Sequence, residues 1–144
     1  MNIYNVHTCS ICNFRHGRSF SVDGIIIRND KVLLIQRGNE PYIGYWALPG
    51  GYAEYDETVE ESICREAFEE TGLTVTIDYL LGVYSKPSRS PNQAIAAAFV
   101  LKEISGNVKS GDDAKDCKWF PLNDLPQLAF DHREIIEDYK KRII

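Results

Sequence analysis

The chain lacks the features of several large protein classes. It has no apolar run near 18 residues, so it has no predicted membrane span. Its first residues lack the charged and then apolar segments of a secretory signal. It has no basic stripe, and with a net charge of −5 and a pI near 5.2 we expect no stable binding to duplex nucleic acid. A cytoplasmic location follows as the default expectation.

Cysteine is scarce, with four residues in 144, and one pair has a spacing with chemical meaning. Cys9 and Cys12 form a C-x-x-C motif that His7 and His16 flank, which provides four side chains able to hold Zn²⁺. A second C-x-x-C motif is missing, and His7 lies only two residues from Cys9. The sequence therefore favours a vestigial knuckle or an ordinary N-terminal strand over a zinc site. A redox role is favoured least, because no βαβ pattern adjoins the motif.

The pattern of apolar residues predicts one domain with a mixed sheet and two helices. A length of 144 residues with 44% hydrophobic and 26% charged residues is ordinary for one globular domain. Two apolar, β-branched runs flank Asn29-Asp30, which favours a hairpin turn. Predicted strands occupy 20–28, 31–37, part of 73–84, 94–101 and 117–120, and predicted helices occupy 57–71 and 131–144. Such a chain fits a mixed sheet that is covered on both sides.

The segment 51–73 carries the strongest pattern. Apolar residues that recur every four positions predict a helix over 57–71, ended by the glycine that follows. Glu66, Glu69 and Glu70 lie three and four positions apart, so their carboxylates share one side of this helix. Like charges repel there when they are unpaired, and a cluster of oxygen ligands suits Mg²⁺ or Mn²⁺. The sequence predicts a divalent cation at this helix; the alternative is an acidic face that meets only solvent.

Residues next to this acidic cluster extend the predicted site. Arg65 follows Glu57 by eight residues, about two helical turns, so it is predicted to pair with Glu57 or Glu69 rather than to hold phosphate. Gly50 and Gly51 permit a tight backbone before the helix, whose N-terminus favours anions. Phosphate, cation and acidic helix are therefore predicted to meet in one place.

Over its 23 positions the segment 51–73 resembles the Nudix signature G-x5-E-x7-R-E-U-x-E-E-x-G-U, in which U is apolar and Ala67 is smaller than usual. The resemblance implies an α/β fold, the α/β/α sandwich with a mixed β-sheet. It implies a Mg²⁺-dependent hydrolase that cuts a diphosphate linked to another group, usually in a nucleotide. It also implies a domain over 18–144 after an N-terminal extension at 1–17, and a metal-ligand role for the carbonyl of Gly50. A homodimer is compatible with the resemblance.

Flanking segments are similar to small ADP-ribose pyrophosphatases of that family. The similar stretches are 45–51, 82–91, 111–114 and 128–132, with a departure at Ser90, where that group more often has Asp. This similarity implies hydrolysis of ADP-ribose to AMP and ribose 5-phosphate. The expected substrate contacts are Arg37 and Arg89 with phosphate or ribose, Tyr45 and Trp46 with the adenine, and Gly51 in the phosphate loop. The alternatives are core or loop packing for each aromatic residue and a surface position for each arginine.

The expected catalytic group consists of the three glutamates with Glu57, Arg65 and a general base. A glutamate of the signature or an acid of the Asp112-Asp113 loop could supply that base. His132 is a further candidate, although a packing role at a helix start is favoured. Two other functions stay open: a nucleoside triphosphate pyrophosphohydrolase of the oxidised dGTP type, and a non-catalytic nucleotide sensor.

Overall fold

The structure, a computed structural model, describes residues 9–14, 16–108 and 116–144. In these ranges the strands are β1 (Phe20–Arg28), β2 (Lys31–Gln36), β3 (Trp46–Ala47), β4 (Gly50–Tyr52), β5 (Leu73–Tyr84), β6 (Ile95–Gly106) and β7 (Cys117–Pro121). The helices are α1 (Val59–Thr71) and α2 (His132–Arg142), with a 3₁₀ turn at Pro87–Arg89. Neither α1 nor α2 is long and apolar enough to cross a membrane.

The strands form one mixed sheet in which β1 is central. Over the described ranges the order is β3-β2-β1-β6-β5, while β4 also pairs with β1 and β7 with β2. β1 runs parallel to β6, and β5 runs antiparallel to β6. β1 pairs with β4 through its first half and with β2 through its last residues. This arrangement sets Asp23 of β1 directly opposite Gly50 of β4.

One helix covers each face of the sheet. Because side chains alternate along a strand, Val22 and Ile26 pack in a core cluster that contains the apolar stripe of α1. Ile25 packs in the second cluster, which contains Ile135 and Ile136 of α2. Full burial of each such side chain contributes about 1.5–3 kcal/mol. The predicted α/β/α sandwich is confirmed.

Local signals set the ends of several elements. Asn29 and Asp30 have φ angles of 50° and 60°, as the predicted hairpin turn requires. α1 begins two residues later than predicted because Thr58 is its N-cap: the hydroxyl of Thr58 accepts from the N–H of Glu61, and the Glu61 carboxylate accepts from the N–H of Thr58. α1 ends at Gly72, which has a φ of 81°, a conformation that glycine adopts without strain.

Candidate active site

A cleft of about 370 Å³ opens at the glycine pair of β4. Its polar lining includes Asp23, Arg37, Glu70, Arg89 and His132, and its aromatic lining is Tyr52 and Phe130. Leu48, Gly50 and Gly51 also line it. The volume and the mixture of apolar walls with a few converging polar groups are typical of a small-molecule site.

Two glutamates of α1 meet the glycine pair. The N–H of Gly50 donates to Oε2 of Glu70 at 3.2 Å. A Cβ atom at Gly51 would lie 2.5 Å from Oε1 of Glu66, and a Cβ atom at Gly50 would collide with the carbonyl oxygen of Val22. These glycines therefore permit a contact between backbone and carboxylates that a side chain would prevent.

The electrostatics of this carboxylate pair are unfavourable without a cation. Burial raises the pKa of Glu70 to about 8, and the negative charges of Glu66 and Asp23 add to the effect. Burial also raises the pKa of Glu66, against the opposing effect of Arg65. Two carboxyl groups that share a poorly solvated site resist joint ionisation. A bound cation would remove that cost.

Arg65 holds the outer part of the acidic cluster, as the sequence predicts. Its guanidinium donates to both carboxylate oxygens of Glu57, at 3.0 and 2.8 Å, and to Glu66 at 3.0 Å and Glu69 at 3.2 Å. Arg65 lowers the pKa of Glu57 to about 2, helped by the N–H of Glu54. Glu57 therefore contacts Arg65 and the N–H of Glu54, and it does not line the cleft.

Glu69 is placed differently from its two neighbours. Its side chain is 54% exposed and its carboxylate points to Arg65, while Glu70 points to Gly50. Among the described residues, the three glutamates do not form a group close enough to share one ion. Glu66 and Glu70 therefore face the glycine pair, whereas Glu69 is bonded to Arg65, and a helping role of Glu69 at the cation stays a prediction.

A buried charged network forms the wall next to this pair. Arg89 is 7% exposed and donates to both oxygens of Asp131, at 2.9 and 2.8 Å, and to the carbonyl of Ala94 at 3.1 Å. It lies 3.7 Å from Oδ2 of Asp23. The alternative of a surface arginine is therefore wrong. Because the guanidinium of Arg89 is hydrogen-bonded to both oxygens of Asp131, it stabilises the cleft wall and is less available for a bidentate contact with phosphate.

Comparison with known families decides the identity of this arrangement. The family model described as NUDIX domain matches residues 18–139. The chain belongs to the NUDIX family.

Relatives of known name share this NUDIX domain. An ADP-ribose pyrophosphatase of Methanocaldococcus jannaschii is 53% identical over 122 residues, which cover 84% of this chain and 72% of that protein. The NUDIX domain of Shewanella oneidensis NrtR, solved in complex with ADP ribose, is 27% identical with a TM-score of 0.77 and covers 90% of both chains. A bifunctional NMN adenylyltransferase/ADP ribose pyrophosphatase of Francisella tularensis, solved with AMP and a manganese ion, is 31% identical with a TM-score of 0.76, over 88% of this chain and 42% of that one.

Asp23 is a residue of the NUDIX cleft that the sequence analysis missed. It is 6% exposed, and its Oδ2 atom has no hydrogen-bond partner among the described residues. The available signal was a lone acid inside the apolar run of β1, since buried aspartate is rare unless it is paired or functional. Asp23 lines the cleft together with Glu70, so its Oδ2 atom, 3.7 Å from the Arg89 guanidinium, adds a further acceptor beside the carboxylate pair.

His132 has a structural role at the start of α2, as the sequence favours. Its Nδ1 atom accepts from the N–H of Leu48 at 3.0 Å, and its Nε2 atom lies 3.4 Å from Oδ1 of Asp23. An acceptor at Nδ1 assigns the ring proton to Nε2, which points at Asp23. Both ring nitrogens therefore face protein groups, which supports a packing role for His132 over a role as general base.

The aromatic residues of the cleft are not the predicted ones. Trp46 packs against Phe120, with ring centroids 4.8 Å apart, in the core cluster of α2. Tyr45 contacts the ring of Tyr42 at 5.3 Å and does not line the cleft. The expected adenine contacts of Tyr45 and Trp46 are therefore corrected.

Phe130, rather than Tyr45 or Trp46, is an aromatic residue that lines the cleft. It lines the cleft, and the guanidinium of Arg37 lies 4.9 Å from its ring centroid. Arg37 also donates to the carbonyl of Pro41 at 2.8 Å, which fixes its position at the cleft. Arg37 therefore lies where the sequence predicts it. The signal for Phe130 was its place in the 128–132 stretch that is similar to ADP-ribose pyrophosphatases.

The remaining predicted residues belong to the N-terminal segment and to the Asp112-Asp113 loop. His7, Asp112 and Asp113 fall outside the described residues. Cys9, Cys12 and His16 come together before β1, and the backbone N–H groups of Cys12 and Ile11 lower the pKa of the Cys9 thiol. None of the four cysteines, all of which the structure describes, forms a disulfide.

Proposed function

We propose that this NUDIX protein hydrolyses the diphosphate of ADP-ribose and releases AMP and ribose 5-phosphate, with Mg²⁺ or Mn²⁺ as cofactor. One observation carries the proposal: a single cleft contains the poorly solvated Glu70, the half-buried backbone of Gly50-Gly51, and the stacked pair of Arg37 and Phe130. The 53% identity to a protein named ADP-ribose pyrophosphatase and the ADP ribose complex of the NrtR domain support this choice of substrate.

The residues around the glycine pair of β4 fit a hard divalent cation. Glu66, Glu70 and the carbonyl of Gly50 would hold it, since carboxylate and carbonyl oxygens are the ligands that Mg²⁺ prefers, with substrate phosphate completing its shell. The raised pKa values of Glu66 and Glu70 show that burial disfavours their charged forms when no counter-ion is present. When bound, the cation supplies charge neutralisation of the diphosphate and a lowered pKa for water.

The residues of the chain position the substrate. Phe130 offers an aromatic face for a base or a sugar, and Arg37 above it offers a cation for a phosphate or a ribose hydroxyl. Gly50 and Gly51 let the diphosphate approach the backbone closely. Asp131 and Arg89 fix the wall that carries His132 and Asp23. Phosphoryl chemistry depends mainly on such positioning and on charge stabilisation.

A panel of substrates tests the proposal. ADP-ribose, NADH, 8-oxo-dGTP, a diadenosine polyphosphate and a nucleotide sugar are each incubated with the protein and Mg²⁺, and the products are resolved chromatographically. We expect AMP and ribose 5-phosphate from ADP-ribose, well above all other turnover. Preference for 8-oxo-dGTP with release of pyrophosphate would replace the proposal by the triphosphate function. Tight binding of ADP-ribose without turnover would replace it by a sensor function. Homodimerisation and a cytoplasmic location stay predictions from the sequence.

A further inference from the structure

The described segment before β1 forms a tight turn around its C-x-x-C motif. The N–H of Asn13 donates to the carbonyl of Cys9, and the N–H of Cys9 donates to the carbonyl of Phe14, each at 2.9 Å. Asn13 has a φ of 59°, a conformation that Asn tolerates better than most residues. The chain therefore reverses direction directly after Cys12.

The turn brings three metal-ligating atoms together. The Sγ atoms of Cys9 and Cys12 and a ring nitrogen of His16 all lie within 4.8 Å of one another. The Sγ atom of Cys12 is 3.1 Å from Nε2 of His16. Around a tetrahedral zinc ion, with Zn–S of about 2.3 Å and Zn–N of about 2.0 Å, neighbouring ligand atoms stand roughly 3.5–3.8 Å apart. Small side-chain shifts therefore place all three atoms on one ion.

The backbone supports the first of these ligands. The carbonyl of Cys9 accepts from the N–H of Asn13, so the backbone of the turn holds Cys9 in place. The turn is thus arranged for a metal in a way that an ordinary extended N-terminal strand would not be.

We propose that Cys9, Cys12 and His16 bind a zinc ion, at a site separate from the cation site of Glu66 and Glu70. Two thiolates and one imidazole are soft and borderline donors that suit Zn²⁺ and not Mg²⁺. Each thiol releases its proton to solvent as its sulfur binds, and nothing is oxidised or reduced. Water or a further ligand fills the fourth position.

The site is linked to the cleft through Arg18. This residue lies two positions after His16, and its guanidinium donates to the carbonyls of Gln93 at 2.6 Å and Ser85 at 2.7 Å. These two carbonyls lie before and after the loop that contains Arg89, a residue of the cleft wall. Zinc at the turn therefore holds the chain at the entry to β1, next to a loop on which the cleft depends.

Metal content is the first test. Untagged full-length protein is expressed with added zinc, dialysed against metal-free buffer and analysed by plasma mass spectrometry. We expect about one zinc per chain in the wild type and in Cys64→Ser/Cys117→Ser, less than a tenth of that in Cys9→Ser/Cys12→Ser, and full content in Glu70→Gln. Equal zinc in both double variants would mean adventitious metal only and would overturn the proposal, as would a zinc-free wild type.

Cobalt substitution is a second test that needs no variant. Co²⁺ added to metal-free wild-type protein is expected to give a sulfur-to-cobalt charge-transfer band and the visible bands of a tetrahedral ion, which stoichiometric zinc then removes. Their absence would overturn the proposal. Circular dichroism of Cys9→Ser/Cys12→Ser checks that the NUDIX domain stays folded, so that loss of metal cannot be ascribed to unfolding.

Discussion

The backbone N–H of Leu48 donates to Nδ1 of His132, 84 positions further along the chain, at 3.0 Å. This bond fixes the loop that leads into Gly50 against the start of α2. The opposite side of the same ring faces Asp23 at 3.4 Å. A single buried imidazole thus connects the glycine loop, β1 and α2, and it does so only with its proton on Nε2.

His132→Ala should destabilise the protein and displace the glycine loop. The Leu48 N–H would lose its acceptor inside the protein, which costs about 1–3 kcal/mol, and kcat should fall with it. His132→Asn, whose amide oxygen can replace Nδ1, should recover most of both. Urea unfolding and steady-state kinetics measure the two effects. The pH–rate profile of His132→Asn should keep the wild-type shape; loss of one limb of that profile would instead identify His132 as a general base.

Glu70→Gln and Glu69→Gln should differ strongly in activity. Glu70 faces Gly50 inside the cleft, whereas Glu69 is bonded to Arg65 at its edge. Loss of a cation ligand removes several kcal/mol of charge stabilisation, so Glu70→Gln should lower kcat at least about 100-fold, and Glu69→Gln much less. Kinetics at saturating Mg²⁺, with circular dichroism as the folding control, compare them. Equal losses would return Glu69 to the ligand set.

The thermal stability of the metal-free protein should fall as the pH rises. The pKa of Glu70 is raised from its ordinary value of 4.5 to about 8, so the folded state binds this proton more tightly than the unfolded state does. The stabilisation that this bound proton gives the folded state is complete below about pH 4.5, and it is lost as the pH rises to about 8. The negative charges of Glu66 and Asp23 also raise the pKa of Glu70.

Differential scanning fluorimetry from pH 5 to pH 8.5 checks this effect. The decrease in Tm should be smaller in Glu70→Gln, which carries no titrating group at that position. Mg²⁺ should raise the wild-type Tm more at the upper end of the range, where the carboxylate is available as a ligand. A Tm without pH dependence in metal-free protein, or a Mg²⁺ effect that is largest at pH 5, would contradict the assignment of Glu70.

Phe130 should control substrate affinity more than Tyr45 does. Phe130 lines the cleft beneath Arg37, and Tyr45 does not line it. Stacking on an aromatic ring contributes about 0.5–1.5 kcal/mol, so Phe130→Leu should raise KM for ADP-ribose by up to about tenfold, with a smaller change in kcat. Tyr45→Leu is the matched control and should change KM less than threefold. A larger effect at Tyr45 would restore the original sequence prediction.

The sequence alone determined the hairpin at Asn29-Asp30, the extent of α1 to within two residues, and the family. These features depend on residues a few positions apart, namely turn conformations, caps and the periodicity of apolar side chains. The pairing of Arg65 with Glu57 could also be predicted from their short separation along the chain, although Glu57 lies just before the N-cap of α1 and not on the helix.

Tertiary structure decided which side chains form the cleft. Arg89 meets Asp131 across 42 positions and His132 meets Leu48 across 84, distances over which no local periodicity operates. The packing of the half-buried Trp46 against the core and the presence of Phe130 in the cleft follow from how α2 and its preceding loop pack on the sheet. Chain folding, and not spacing along the sequence, places these residues, because burial and hydrogen bonding depend on every element that surrounds a side chain.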